Sequence, residues 1–182
     1  MRKSLALIII ALCLSHRVVA ATPAQPLKPL FEALAKATSK EAAAPLEKRL
    51  EALFLNSGSA SVDLLMSRAA RMLAVDKLDV AGKLLSSVTA IAPSYAEGWH
   101  QRARLEALEG NDRAAMLFLQ RTLTLNPRQF EAYAELGSLL RAYGDPKGAL
   151  AMYRKAAALD PNYDHIRSDL RALVRKVEGQ SI

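Results

Sequence analysis

Few side chains of this sequence could support catalysis or bind a metal, and their spacing forms no recognisable reactive set. Beyond the N-terminal segment the histidines are His100 and His165, which lie far apart in the chain. A metal site built on them would need carboxylates from other segments. The sequence has no His-Glu-x-x-His motif, no phosphate-binding glycine loop and no Gly-x-Ser-x-Gly motif. We therefore expect no enzymatic activity, no cofactor and no metal.

The first twenty residues have the order of a secretory signal peptide. Arg2 and Lys3 precede an uncharged, mostly apolar run that ends at Leu14, and small residues follow at Ala20 and Ala21. Cleavage after Ala20 or after Ala21 fits this order, with a slight preference for Ala20. The apolar run is shorter than the roughly 20 residues that a membrane-spanning helix needs. We expect a cleavable signal peptide at 1–20 and export of the remaining chain.

Two alternatives for this segment stay open. Arg17, close to the cleavage region, would be compatible with a leader that is retained as a membrane anchor. Lipidation of Cys13 would require a small residue before it, but Leu12 occupies that position. Cys13 is the single cysteine, so a chain without its leader could form no disulfide and offer no thiolate to a metal.

A 34-residue periodicity dominates the chain after residue 61. Pro93, Pro127 and Pro161 recur at this interval. When the 34-residue units are aligned, several other positions, which we call columns, also carry similar residues in every unit. Large apolar residues occupy one column, and small residues occupy two others; these columns are Leu65, Trp99 and Tyr133; Ala69, Ala103 and Gly137; and Ala81, Ala115 and Ala149. So many columns in phase predict tandem repeats at 62–95, 96–129 and 130–163.

Each repeat is predicted to contain two helices. In the third repeat, Tyr133, Leu136 and Leu140 fall at three- and four-residue steps on one helical face. Gly144 can end that helix in a left-handed conformation, and Asp145 and Pro146 are suited to the start of the next helix. The small residues in the Gly137 and Ala149 columns allow the paired helices to approach closely. These residues are predicted to form the core.

The repeats resemble the tetratricopeptide repeat (TPR). The third repeat matches the pattern of that family nearly throughout; its matching residues are Tyr133, Leu136, Gly137, Leu140, Gly144, Asp145, Ala149, Tyr153, Ala156 and Pro161. The second repeat departs from the pattern at Arg102, Glu106 and Thr122, and the first at Arg68 and Asp76. The resemblance implies an all-α fold, a TPR-type α-solenoid of stacked antiparallel helix pairs. The chain is also similar to small secreted TPR proteins of proteobacteria, which implies a periplasmic location.

Additional helices are predicted at both ends of the solenoid. Residues 164–179 carry Ile166, Leu170 and Leu173 on one stripe, with basic residues around it, and are predicted to form a C-terminal capping helix. Contact of those basic residues with acidic lipid is an alternative. Upstream, 21–29 is predicted to be a flexible lead-in. The segment 30–58 is predicted to be a helix pair, a degenerate repeat or N-terminal cap, whose second helix begins at Pro45.

The resemblance also implies a binding groove lined by the first helix of each pair. The corresponding positions are Asp63, Met66, Ala70 and Leu73 in the first repeat, Glu97, His100, Arg104 and Ala107 in the second, and Glu131, Ala134, Ser138 and Arg141 in the third. Such a groove could hold an extended peptide or a partner's helix. Chaperone-docking TPR domains hold a terminal carboxylate with Lys and Asn, but those positions here include Glu131 and Glu135, which would repel one.

The composition favours a protein or peptide partner over nucleic acid. The whole chain has a formal charge of +7, but three of its 25 basic residues lie in the leader, which contains no acid. The remainder has 22 basic and 18 acidic residues, a net charge of +4, and no basic run with interleaved aromatics. We expect a non-catalytic scaffold or adaptor without membrane contact after leader removal; the alternative is a membrane-associated structural component of the cell envelope.

Overall fold

The computed structural model describes residues 27–164 and 166–179. These residues form helices joined by short turns, with no strand among them. The helices are α1 (Leu27–Ala35), α2 (Lys40–Phe54), α3 (Ala60–Ala74), α4 (Leu78–Ile91), α5 (Ala96–Leu108), α6 (Asp112–Leu125), α7 (Phe130–Ala142), α8 (Pro146–Leu159) and α9 (Ile166–Glu178). The predicted signal peptide, with Cys13 and both cleavage positions, lies outside the described residues, as does His165.

Six helices form three successive antiparallel hairpins: α3 with α4, α5 with α6, and α7 with α8. Each hairpin also packs on the next, through α4 against α5 and α6 against α7. Residues of the small columns, including Ala69, Ala81, Ala103, Ala115 and Ala149, are at most 1% exposed at these contacts. Neighbouring hairpins thus share their apolar burial, as expected for stacked repeats. The prediction of an all-α TPR-type solenoid is confirmed.

The turns within the hairpins follow the predicted chemistry. Gly110 and Gly144 end α5 and α7 with φ angles of +78° and +79°, a region in which glycine avoids the steric cost of a side chain. Asp76 occupies the equivalent position after α3 and also has a positive φ, of 55°. Asp145 then caps the N-terminus of α8, because its Oδ1 accepts a 2.8 Å hydrogen bond from the Gly148 N–H.

The N-terminal helices begin earlier than predicted. Helix α1 begins at Leu27, so residues 27–29 of the predicted flexible lead-in are helical. Pro29 is compatible with this start, because the first four N–H groups of a helix have no intrahelical acceptor. Helix α2 begins at Lys40 rather than Pro45, and Ser39 caps it by accepting a hydrogen bond from the Ala42 N–H. Pro45 therefore lies inside α2.

The N-terminal hairpin, α1 with α2, does not stack on α3 as a further repeat or an in-line cap would. Its buried residues Leu30 and Leu34 share a core with Phe130, at the start of α7, and with Leu159 and Tyr163, at and after the end of α8. The Asn162 side chain donates a 2.7 Å hydrogen bond to the Ala37 carbonyl just after α1. The hairpin is thus placed across the third repeat rather than beside the first.

Helix α9 packs against α8, after the third repeat. Ile166 and Leu173 are each 3% exposed and join the core around Tyr133 and Tyr153. Arg154 on α8 also pairs with Glu178, at 2.8 Å. The apolar stripe of α9 covers the face of α8 that would otherwise be open to solvent.

Gly137 permits the close contact between α7 and α8. A Cβ atom at this position would lie 3.2 Å from the Tyr153 ring and 3.3 Å from the Ala149 carbonyl oxygen. We expect Gly137→Val to lower the free energy of unfolding by about 1–3 kcal/mol through overpacking, because valine gains little helix propensity over glycine. Chemical denaturation should show this loss, whereas the isosteric Thr124→Val at an exposed position of α6 should not; equal denaturation midpoints would contradict the prediction.

Candidate functional site

Three adjoining cavities form a groove along α5, α7 and α9. Their volumes are about 240, 350 and 480 Å³, and Glu135 on α7 lines all three. Arg104 lines the first and second cavities, and Ser138 lines the second and third. The cavities are therefore parts of one continuous surface, which we call the groove. Its first cavity is closed on one side by α2, through Glu47, Glu51 and Phe54.

The polar end of the groove is organised around His100. The imidazole is 3% exposed; its Nδ1 lies 3.3 Å from Glu97 Oε2, and its Nε2 lies 3.0 Å from Glu135 Oε2. Gln129 donates a 2.6 Å hydrogen bond to Glu97 Oε2, and Gln101 donates one of 2.6 Å to Glu97 Oε1. We call these five residues the His100 network. It joins α5, the α6–α7 turn and α7.

The charges of this network stabilise one another. Burial alone would lower the pKa of His100, but its hydrogen bonds to Glu135 and Glu97, together with their negative charges, raise that pKa to about 10. Burial alone would raise the pKa of Glu97, but hydrogen bonding and the charge of His100 lower it. Both ring nitrogens therefore donate at neutral pH. His100 serves as a buried cation between two carboxylates.

Glu131 lies beside this network. Its Oε2 is buried and has no hydrogen-bond partner in the part of the chain that the structure describes. Burial raises the pKa of Glu131 to about 7, although the charge of His100 opposes that shift. Several carboxylates thus line the first cavity, and the positive charges of His100 and Arg104 partly neutralise them. The Arg104 Nε lies 3.8 Å from Glu135 Oε1.

The middle of the groove is mainly apolar. Ala103 and Leu119 form its buried floor, and Ala107, Leu108 and Leu139 line its sides. Leu108 is 68% exposed, so most of its apolar side chain faces solvent at the edge of this cavity. This cavity can accept an apolar side chain, with Arg104 and Glu135 available for polar contacts at its edge.

The third cavity lies between α7 and α9. Arg141 donates a 3.0 Å hydrogen bond to Asp169 on α9, and its guanidinium lies 5.9 Å from the centre of the Tyr153 ring. Ala134, Ser138 and Ile166 also line this end. The groove therefore combines an acidic end, an apolar middle and an end with an arginine–aspartate pair.

The predicted positions of the second and third repeats come together in this groove. Glu97, His100, Arg104, Ala107, Glu131, Ala134, Ser138 and Arg141 each line at least one of its cavities. Glu97 and His100 are buried, at 6% and 3% exposure. They therefore position their neighbours and offer little surface for direct contact with a guest. Arg104, Ala107, Ser138 and Arg141 are exposed.

The predicted positions of the first repeat do not line these cavities. Asp63 accepts hydrogen bonds from the Ser57 N–H and hydroxyl, at 2.9 and 2.6 Å, and so fixes the turn before α3. Met66 is 6% exposed in the core of the first hairpin, and Leu73 packs against that core. Ala70 is exposed but lies outside the groove. These positions lie on α3, whereas the groove runs along α5, α7 and α9.

Other groove residues were not among the sequence candidates. Glu47 and Glu51 reach it from α2, Gln129 from the α6–α7 turn, and Leu108 and Leu139 from the helices themselves. Glu47 and Glu51 carry no local signal, because only the folding of the N-terminal hairpin across the third repeat places them there. Leu108 could have been found, since it lies four residues after Arg104 and one turn along the same face.

Among residues 27–164 and 166–179, no group of three or more His, Cys, Asp or Glu side chains is arranged to hold a metal ion. No helix in these ranges is long and apolar enough to cross a membrane.

Comparison with known proteins returns TPR proteins. No protein-family model matches the chain. A TPR repeat-containing protein of Rhizobium etli is 26% identical to it over 164 residues, which are 90% of this chain and 80% of the relative. The resemblance to the TPR family is thereby confirmed.

Solved structures show the same fold. The TPR domain of Sgt2 from Aspergillus fumigatus gives a TM-score of 0.59 at 23% identity, over 66% of this chain and 81% of that domain. The Yersinia enterocolitica type III secretion chaperone SycD, solved in complex with a peptide of the translocator YopD, gives 0.60 at 15% identity, over 67% of this chain and 97% of that one. At these identities the likeness shows the fold alone.

Proposed function

We propose that this chain, which has the TPR fold, is an exported, non-catalytic interaction module of the bacterial periplasm that binds a protein or peptide in the groove. The single observation that carries this proposal is the continuity of the three cavities along α5, α7 and α9 through Glu135. An elongated surface with an apolar middle and charged ends suits a polypeptide better than a compact small molecule.

The middle of the groove supports a guest with at least one apolar anchor. An apolar side chain entering between Leu108 and Leu139 would bury surface that now faces solvent, at about 25 cal/mol for each Å². Arg104 is 55% exposed in its side chain, so it can form a hydrogen bond to a guest backbone or carboxylate. The peptide bound to SycD supports this mode of binding for the fold.

The periplasmic part of the proposal is supported by the sequence order of residues 1–20. Mass spectrometry of the native protein should find Ala21 or Thr22 at the mature N-terminus, in a fraction that high salt releases from membranes. A chain that retains Met1 and requires detergent for its release would instead support the membrane-associated envelope component.

Blocking the middle of the groove should weaken guest binding while the helical fold is retained. We expect the double variant Leu108→Asp, Ser138→Tyr to weaken the affinity for a guest captured from envelope extracts by at least about tenfold, which is about 1.4 kcal/mol. The aspartate removes the apolar anchor, and the tyrosine fills the passage between the second and third cavities. Isothermal titration with the identified, purified guest measures the change.

The matched control is Leu117→Asp. Leu117 is 63% exposed on α6, outside the groove lining, so this variant makes the same chemical change elsewhere. Circular dichroism should show equal helicity for all forms. Equal affinity of the double variant and the control would exclude the groove as the binding surface.

A further inference from the structure

Two carboxyl groups face each other where α2 meets the end of α8. Asp160 is fully buried, at 0% exposure, and its Oδ1 accepts a 2.9 Å hydrogen bond from the Asn162 N–H. Asp160 Oδ2 and Glu47 Oε1 are both buried, and neither receives a hydrogen bond from a donor group among residues 27–164 and 166–179. Glu47 and Asp160 lie within hydrogen-bonding reach of each other. Two ionised carboxylates within hydrogen-bonding reach repel each other, whereas a protonated carboxylic acid can donate a hydrogen bond to a carboxylate.

This contact joins the N-terminal hairpin to the repeats. The hairpin's other attachments include apolar packing on Phe130 and Tyr163, the hydrogen bond from Asn162 to the Ala37 carbonyl, and the guanidinium of Arg128, 5.5 Å from the Phe31 ring centre. These contacts do not depend on pH in the neutral range. The Glu47–Asp160 contact does, because it requires a proton.

The hairpin also determines how open the groove is. Its α2 contributes Glu47, Glu51 and Phe54 to the wall of the first cavity. Departure of the hairpin would remove that wall and expose Phe130 and Tyr163, which it now covers. The polar end of the groove would then be continuous with a newly exposed apolar surface.

We propose that a proton on Glu47, placed in a hydrogen bond to Asp160, fastens the N-terminal hairpin across the polar end of the groove, and that loss of this proton releases the hairpin. The consequence for a guest rests on the proposed function of the groove. The movement of the hairpin does not.

The other charges around Glu47 do not replace this proton. Asp160, at the end of α8, disfavours the ionised form of Glu47, and Lys40 on α2 itself favours it. The further charged groups that line the adjoining cavity are Glu51 on α2, Glu97, His100 and Arg104 on α5, and Glu131 and Glu135 on α7. The cations His100 and Arg104 are already engaged with Glu97 and Glu135. An ionised Glu47 would therefore face an acidic surface, and Lys40 on its own helix would offset that repulsion in part.

The direction of the pH effect follows from the docked and free states. Burial, followed by the hydrogen bond to Asp160 and its charge, raises the pKa of Glu47 from 4.5 to about 7 in the docked hairpin. The docked state therefore keeps a proton that the free state loses. The stabilisation is full below about pH 4.5 and is lost as the pH rises through about 7. Because Glu47 is partly exposed, we expect the docking equilibrium to weaken by at least about tenfold across this window.

Distance measurements between spin labels can test this release in the full chain. Labels on Glu32→Cys in α1 and Lys147→Cys in α8, in a Cys13→Ser background, occupy exposed positions outside the contact. At pH 5 we expect one short distance. At pH 8 a longer, broader population should increase at least about tenfold relative to the short one.

Substitutions that supply a permanent donor should abolish the response. Glu47→Gln places an amide N–H opposite Asp160 and should keep the hairpin docked at pH 8. Asp160→Asn offers the reverse donor, retains an oxygen for the Asn162 N–H, and should act likewise. The matched control Glu51→Gln removes the same charge from the same helix and should respond as the wild type does. A pH-independent wild type, or release in both amide variants, would overturn the proposal, as would retention in the Glu51→Gln control.

Guest binding can be measured separately. If the hairpin moves and the groove still captures no guest, the proposed function fails and this inference stands. If a guest binds in the groove while the hairpin distance is the same at pH 5 and pH 8, this inference fails and the proposed function stands.

Discussion

Replacing His100 with alanine is expected to lower the free energy of unfolding by about 3–5 kcal/mol, the range measured when one partner of a buried ion pair is removed. The imidazole lies between Glu97 and Glu135, and Glu97 is itself buried at 6% exposure. Without His100, the two carboxylates and Glu131 would share a cavity whose lining also includes the solvent-exposed cation Arg104. Chemical denaturation at pH 7 measures the loss.

The exposed neighbour provides the control for this variant. Arg104→Ala removes a cation from the same carboxylate, Glu135, but that contact is 3.8 Å long and largely in solvent. We expect it to change the free energy of unfolding by less than about 1 kcal/mol. A similar small loss for His100→Ala would show that the His100 network does not stabilise the fold.

The pH dependence gives a second measure of the same contacts. The pKa of His100 is raised from 6.5 to about 10, so the folded state keeps a proton that the unfolded state loses. The stabilisation is fully present below about pH 6.5 and is lost as the pH rises through about 10. The stability of the wild type should therefore fall over this range more steeply than that of His100→Ala.

Phe130→Ala is expected to have an effect of similar size, about 3–5 kcal/mol, by leaving a cavity at a fully buried position. The Phe130 ring is 0% exposed and packs edge-on against Tyr163, with ring centres 5.1 Å apart. It is also the main side chain of α7 in the core that the N-terminal hairpin shares with the third repeat. The variant should therefore both lower stability and release the hairpin.

Phe118→Ala separates these two consequences. Phe118 is partly buried on α6, 5.6 Å from the Trp99 ring and away from the hairpin. Its removal should lower stability by a smaller amount and leave the distance between labels on α1 and α8 unchanged. Phe130→Ala should lengthen that distance even at pH 5. An unchanged distance in Phe130→Ala would show that the hairpin is attached mainly by other contacts.

The sequence by itself determined the repeats and their internal packing. The columns of Ala, Gly and large apolar residues specify contacts between helices that are neighbours in the chain, such as Gly137 against Tyr153. Because a solenoid is stabilised by such nearest-neighbour contacts, a 34-residue period was sufficient to predict the stacked hairpins and the face formed by α5 and α7. The capping stripe of α9 could be predicted for the same reason.

Only the tertiary structure decided where the N-terminal hairpin lies. Its apolar stripe, Leu30, Phe31 and Leu34, could be buried against any apolar surface within reach of the linker before α3. Nothing in the local pattern specifies Phe130, a residue far along the chain, as its partner. That choice brings Glu47 to Asp160 and closes the polar end of the groove. Contacts between distant segments depend on the complementarity of finished surfaces, which a repeat period does not encode.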